Sequence, residues 1–133
     1  MEYQSFKVTI ENHIANVAFN RPEKRNSLRG EDWKEMKLVF ETMDQNPDVR
    51  VIVLSGEGKN FCAGIDLQTL MDLQHYQTIK CEGRKREMIR KFIFELQDTI
   101  TSIEKCRKPV LAAIHHSCAV SYTHLTLPTT PYV

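Results

Sequence analysis

Residues Val49 to Leu54 (Val-Arg-Val-Ile-Val-Leu) form a short, nearly continuous apolar run, rich in β-branched side chains and bounded by turn residues. A strand of this kind has to be covered on both faces, which is the situation of parallel strands sandwiched by helices. The loop leaving it, Ser55-Gly-Glu-Gly-Lys-Asn60, leads into Phe61-Cys-Ala-Gly-Ile-Asp66. A short helical pattern carrying Leu67, Leu70, Met71 and Leu73 then begins near Asp66. Buried strand, glycine-rich loop, small residues and helix in that order call for a layered α/β domain.

The flanking segments agree. Phe6, Val8 and Ile10 alternate with polar residues, Glu11-Asn12-His13 supplies a turn, and Ala15, Val17 and Phe19 alternate on the return, so the start predicts a hairpin. Asn20 to Ser27 is a polar loop in which Pro22 cannot donate to a ladder. Trp33, Met36, Phe40 and Met43 share one face of a helix expected over Gly30 to Asn46, ended by Asn46-Pro47-Asp48. A second long helix, Arg84 to Cys106, carries the stripe Met88, Ile89, Phe92, Ile93, Leu96, Ile100 and Ile103. After Pro109, Val110 to Ile114 reads as another buried parallel strand.

The motif at 61–66 admits two readings. Ala63 and Gly64 are small enough for a ligand to approach the backbone, and amides at a helix start lack intrahelical acceptors and suit a developing negative charge. Asp66 fits an N-cap. The bland alternative is a close-packed strand-to-helix junction with no ligand. The basic cluster Lys80, Arg84, Lys85, Arg86, Arg90 and Lys91 is likewise either a solvated helix start or a patch for a phosphorylated ligand, since basic residues in a first turn oppose the helix dipole.

Composition narrows the classes. With 26% charged residues and a formal net charge of +1, nothing pulls the whole chain toward nucleic acid or a membrane surface. No apolar run reaches membrane-span length, and Met-Glu-Tyr-Gln-Ser-Phe lacks the features of a signal peptide, so the expected compartment is the cytoplasm. Cys62, Cys81, Cys106 and Cys118 form no C-x-x-C pair, and free thiols are expected. His115, His116 and Cys118 sit too close together to form a tetrahedral metal cage without distant ligands.

Three segments carry a resemblance: Arg21-Pro-Glu-Lys-Arg-Asn-Ser-Leu28, Val51 to Leu67 with its Phe-Cys-Ala-Gly-Ile-Asp-Leu, and Lys108-Pro-Val-Leu-Ala-Ala-Ile-His115. In order and spacing, over residues 3–118, they are similar to the crotonase (enoyl-CoA hydratase/isomerase) superfamily of fatty-acid β-oxidation. Ala-Gly-Ile-Asp-Leu and the long segment before Lys108 most resemble the dienoyl-CoA isomerases within it. The resemblance implies a ββα spiral core, homo-trimers or hexamers, and an acyl-CoA thioester held by two backbone amides. No separate cofactor is implied, because coenzyme A belongs to the substrate. The first amide maps to Ile65. Ala63, Gly64 and Asp66 would shape the adenine and pantetheine path, and Glu23, Lys24 and Arg25 would line the coenzyme A. Lys24 and Arg25 suit phosphates as charge-assisted donors, or are solvated loop charges.

Beyond Ile114-His115 the resemblance calls for a glycine run and then an acidic residue, the second amide coming from the middle glycine. Here Val120, Ser121 and Tyr122 occupy the run and His124 the acidic position. Val120 to Thr129 is also, residue for residue, the translation of a string resembling a transposon-end adaptor used in sequencing libraries. The expected organisation is a partial crotonase-like domain over 1–118 and a non-native, adaptor-like tail over 119–133. Functionally this describes an N-terminal fragment of a dienoyl-CoA isomerase-like enzyme, inactive as written. The alternatives are an enoyl-CoA hydratase, a non-catalytic acyl-CoA-binding module, or a structural protein. The strand at Val110 and the helix at Arg84 are expected to leave apolar surface uncovered.

Overall fold

The computed structural model describes residues 2–118; the substituted glycine run, His124 and the adaptor-like tail lie outside them. The element order is β1 (Phe6–Glu11), β2 (Ile14–Phe19), α1 (Gly30–Gln45), β3 (Val51–Gly56), α2 (Leu67–Asp72), α3 (Glu82–Lys105) and β4 (Val110–Ala112). The strands form one sheet in the order β1-β2-β3-β4. β1 pairs antiparallel with β2 through a hairpin whose turn residues Asn12 and His13 both have positive φ. β2–β3 and β3–β4 are parallel, as the helical crossovers between them require.

Register explains the core. Opposite residues line up as Ile10–Ala15–Ile52–Val110 and Val8–Val17–Leu54–Ala112, and cross-strand partners share a face. Ala15, Val17, Ile52 and Leu54 from these rows are buried with Trp33, Met36, Val39, Phe40 and Met43 of α1. Burying each of the larger side chains contributes roughly 1.5–3 kcal/mol. At the end of β2, Phe19 packs against Phe6 and edge-on against Phe61, with ring centroids 5.2 and 5.3 Å apart. This aromatic group carries the packing from the hairpin to the start of the motif.

α1 begins as its sequence dictates. Glu31 and Asp32 sit in its first turn, where the dipole favours acids, and Asp32 accepts the Arg29 N–H at 2.8 Å. At its far end the Lys108 ammonium donates to the Met43 and Asn46 carbonyls, satisfying last-turn acceptors. α3 lies against α1, and the buried Thr99 hydroxyl donates to the Trp33 carbonyl at 3.1 Å.

Two sequence expectations change. The Val110–Ile114 strand is parallel but short and not buried: Leu111 is 58% exposed, since β4 has no neighbour on its outer side among the described residues. α3 starts at Glu82, not Arg84, which adds an acid to its first turn, and Lys85 and Arg86 pair with Glu82. Glu82 partly offsets Arg84 and Lys85, which still lie in the first turn. Arg90 lies over the Phe94 ring at 4.6 Å, a cation–π contact. The expected uncovered apolar surface is present, with Met88, Ile93 and Phe94 of α3 exposed.

Candidate functional site

The motif is held by backbone hydrogen bonds to the loop that the sequence separates from it by a helix and a strand. Ala63 N–H donates to the Arg25 carbonyl at 2.9 Å, Leu28 N–H to the Gly64 carbonyl at 2.8 Å, and Asp66 N–H to the Leu28 carbonyl at 2.8 Å. Leu28 and Ile65 are thus paired in a one-residue parallel bridge. Successive N–H groups of extended backbone point to opposite sides. Because Asp66 N–H faces Leu28, Ile65 N–H faces away, and it has no acceptor among the described residues.

Two residues set that direction. Gly64 has φ +95°, outside the range side-chain-bearing residues adopt readily. Asp66 is the N-cap of α2, accepting the Gln68 N–H at 2.8 Å. Ile65 therefore precedes the cap and does not lie within the helix's first turn. Its free amide comes from strand geometry, not from an unsatisfied helix end. Beside it opens a cleft of about 520 Å³ lined chiefly by apolar side chains, among them Ile65, Trp33, Ile93, Leu96 and Ile100. The Trp33 indole Nε1 is buried without a hydrogen-bond partner among the described residues.

Glu23 and Lys24 lie on an exposed 3-10 turn, Pro22–Lys24, and Arg25 follows in left-handed conformation. The Arg25 carbonyl, not its side chain, makes the link to Ala63. The structure thus brings the loop Glu23–Arg25 and the segment Ala63–Asp66 together at one end of the sheet, beyond the C-terminal ends of β2 and β3. The chain leaving β4 arrives there too: Phe61 N–H donates to the His115 carbonyl and Cys62 N–H to the Ser117 carbonyl, both at 3.0 Å. Cys118 ends opposite Cys62 in a second parallel bridge.

Sequence reasoning missed the polar supports beneath this end of the sheet. The buried Asn26 receives Arg21 N–H on its side-chain oxygen at 2.8 Å and donates to the Glu57 and Asn60 carbonyls at 2.9 and 2.8 Å. Asp32 has a fully buried side chain, held by both nitrogens of an Arg29 fork at 3.0 and 2.9 Å and by the Ser5 hydroxyl. Burial alone would push the Asp32 carboxyl up; the Arg29 and Ser5 hydrogen bonds outweigh it and leave the carboxyl below its ordinary value. An acid three residues after Arg29 was the available signal.

Cys62 is buried under the motif, its thiol donating to the Asn26 carbonyl at 3.2 Å and accepting from Gly64 N–H at 3.4 Å. Burial pushes that thiol up to about 11. The four cysteines are free. Among the described residues no cluster of His, Cys, Asp or Glu is placed to hold a metal ion, and no helix is long and apolar enough to cross a membrane.

An antiparallel hairpin continued by parallel strands, with a free strand amide ahead of a capped helix, defines a crotonase-like α/β protein. The enoyl-CoA hydratase/isomerase family model matches residues 9–127, and the chain belongs to that family. Over 106 residues it is 43% identical to a peroxisomal Delta(3,5)-Delta(2,4)-dienoyl-CoA isomerase of Arabidopsis thaliana, covering 79% of this chain and 38% of the relative. Over 117 residues it is 39% identical to the mitochondrial dienoyl-CoA isomerase of Mus musculus, covering 87% of this chain and 36% of the relative. The chain therefore spans less than two fifths of the length of these curated relatives. Among solved structures, one described as a putative enoyl-CoA hydratase from Streptomyces coelicolor superposes with a TM-score of 0.77 at 26% identity, covering 95% of this chain and 43% of that one.

Proposed function

We propose that this chain is the N-terminal part of an acyl-CoA isomerase of the dienoyl-CoA type, in which Ile65 N–H is one of two donors to a thioester enolate. The observation that carries this reading is the outward, unaccepted Ile65 amide standing beside an apolar cleft. A donor fixed by a bridge and a cap needs no reorganisation when charge develops, and losing one such donor typically costs about 10²–10³ in rate. The cleft offers an apolar surface for an acyl chain. The exposed loop Glu23-Lys24-Arg25 offers donors for coenzyme A phosphates at the same end of the sheet. Identities of 43% and 39% to dienoyl-CoA isomerases, against 24% to a probable enoyl-CoA hydratase of Mycobacterium tuberculosis, favour isomerase over hydratase.

The second reading, acyl-CoA binding without turnover, is favoured by Ser121 at the second-amide position and His124 at the acidic one. Proton transfer along a conjugated chain needs a carboxylate poised there. We therefore expect the 133-residue chain to bind and not to turn over, residues 119–133 being a non-native tail on a partial domain of residues 1–118. Titration calorimetry with octanoyl-CoA and an absorbance assay for conversion of a 3,5-dienoyl-CoA to the conjugated 2,4-isomer test this together. Heat of binding without a change in absorbance is the expected result. Silence in both sinks the acyl-CoA reading, and turnover sinks the claim of inactivity. Sequencing the transcript by an adaptor-free method tests the tail: recovery of the codons for Val120–Val133 there would end the adaptor reading.

A further inference from the structure

One guanidinium joins three pieces of the site. Arg21 Nη1 donates to the Ser27 carbonyl at 2.8 Å and stands 3.3 Å from Asp32 and 3.7 Å from Asp66. Asp32 is anchored from the other side by Arg29 and Ser5, on the first turn of α1. Asp66, which also accepts from the Ser27 hydroxyl at 3.2 Å, caps α2 immediately after Ile65. The Arg21 and Asp66 side chains are 14% and 16% exposed, so their attraction is only weakly screened by solvent.

We propose that Arg21, seated on the buried Asp32, is a positioning residue that fixes the direction of the Ile65 amide by holding the Asp66 carboxylate and the Ser27 carbonyl in place. This deepens the proposed function and rests on it for the meaning of the amide. The physical argument is leverage. Asp66 N–H and Leu28 N–H make the bridge that turns Ile65 N–H outward, and Arg21 touches the residue before Leu28 and the residue after Ile65. Without Arg21, Asp32 still has Arg29 and Ser5, while Asp66 keeps its hydrogen bonds to Gln68 and Ser27 and a longer-range attraction to Arg29, but loses the one guanidinium that contacts both carboxylates. No guanidinium would then bridge the buried Asp32 of the α1 turn to the Asp66 carboxylate at close range.

Residue-resolved amide hydrogen exchange on the full chain tests this without any thioester. In Arg21→Gln, exchange at Leu28, Asp66 and Gln68 should accelerate about tenfold, while the core-strand amides of Val17 and Ile52 stay within about twofold of wild type. Arg21→Lys, which keeps the charge, should show a smaller acceleration at the same three amides. It also supplies the measurement if Arg21→Gln does not fold. Unchanged exchange at these amides overturns the proposal. So does acceleration spread evenly over the core strands, which is what a purely structural role gives. Octanoyl-CoA titration of wild type is scored separately: its failure removes the proposed function and leaves the Arg21 clamp to be judged on exchange alone.

Discussion

The Asn26 side-chain amide donates to the Asn60 carbonyl at 2.8 Å, so the loop before α1 and the loop after β3 are closed by one buried side chain. The same group also reaches Glu57, and its oxygen receives Arg21 N–H. Asn26 further has φ +57°, a conformation that asparagine tolerates better than most residues. Asn26→Ala strands up to three partly buried backbone groups, and a loss of about 2–4 kcal/mol in urea unfolding is expected. Asn26→Asp, which presents oxygens to two carbonyls, should cost at least as much. A loss below about 1 kcal/mol for both would show that water replaces these bonds at little cost.

Two glycines lead to contrasting expectations. A Cβ on Gly56 would lie 2.5 Å from the Phe61 carbonyl oxygen and 2.9 Å from the Phe61 Cα, both backbone atoms that cannot rotate away. Gly56→Ala must therefore push the Phe61–Cys62 segment off β3. Gly64→Ala is strained by its φ of +95°, at about 1–3 kcal/mol, and that strain is relieved by rotating the peptide that aims Ile65 N–H. Gly56→Ala should lower the melting temperature more than Gly64→Ala. Gly64→Ala should lower octanoyl-CoA affinity more than its effect on melting would account for. The reverse ranking in both measurements would mean that the amide is not aimed by Gly64.

How much of this was legible beforehand depends on which interactions were local. The hairpin, α1, β3, the Asp66 cap and the amphipathic α3 follow from periodicity and turn residues within each segment, and all are present. The clamp was not legible, because Ser5, Arg21, Asp32 and Asp66 belong to four separate segments and only the fold brings them together. The sequence points to the Ile65 amide only through the family resemblance, and the structure shows that amide without an acceptor among the described residues. Its freedom comes from the Leu28–Ile65 bridge, and a lone parallel bridge leaves no pattern in sequence. The exposure of β4 is invisible in its apolar run, because such a run states what a strand needs and not what covers it.

Asp32 should make the fold sensitive to strong acid. Its folded-state carboxyl lies below the ordinary carboxylate value, so the folded chain holds fewer protons there than the unfolded chain. The stability this contributes is complete above about pH 4, the unfolded value, and is lost as pH falls through the lower folded value. Asp32→Asn leaves Arg29 and Arg21 facing a neutral amide and should cost about 3 kcal/mol at pH 7, toward the low end for broken buried pairs because Arg29 is partly solvated. Unfolding curves for wild type and variant should converge as pH drops below about 4. A gap that stays constant down to pH 2 would assign the loss to packing and not to charge.

The thiols should react in an order set by burial. Cys81 is exposed at the start of α3, Cys106 and Cys118 are half-buried, and Cys62 is fully buried beneath Gly64. Burial raises Cys106 and Cys118 above the ordinary thiol value and takes Cys62 to about 11. At pH 8 roughly one Cys62 in a thousand would be thiolate, and iodoacetamide attacks only that form. Access to Cys62 also requires breaking its bonds to Asn26 and Gly64, so modification should wait for opening of the whole motif. Mass spectrometry of native samples should show Cys81 alkylated first and Cys62 last, with urea abolishing the difference. Native alkylation of Cys62 at a rate comparable to that of Cys81 would mean that the segment carrying Ile65 opens without unfolding. An amide on so mobile a segment would not be the preorganised donor that enolate stabilisation requires.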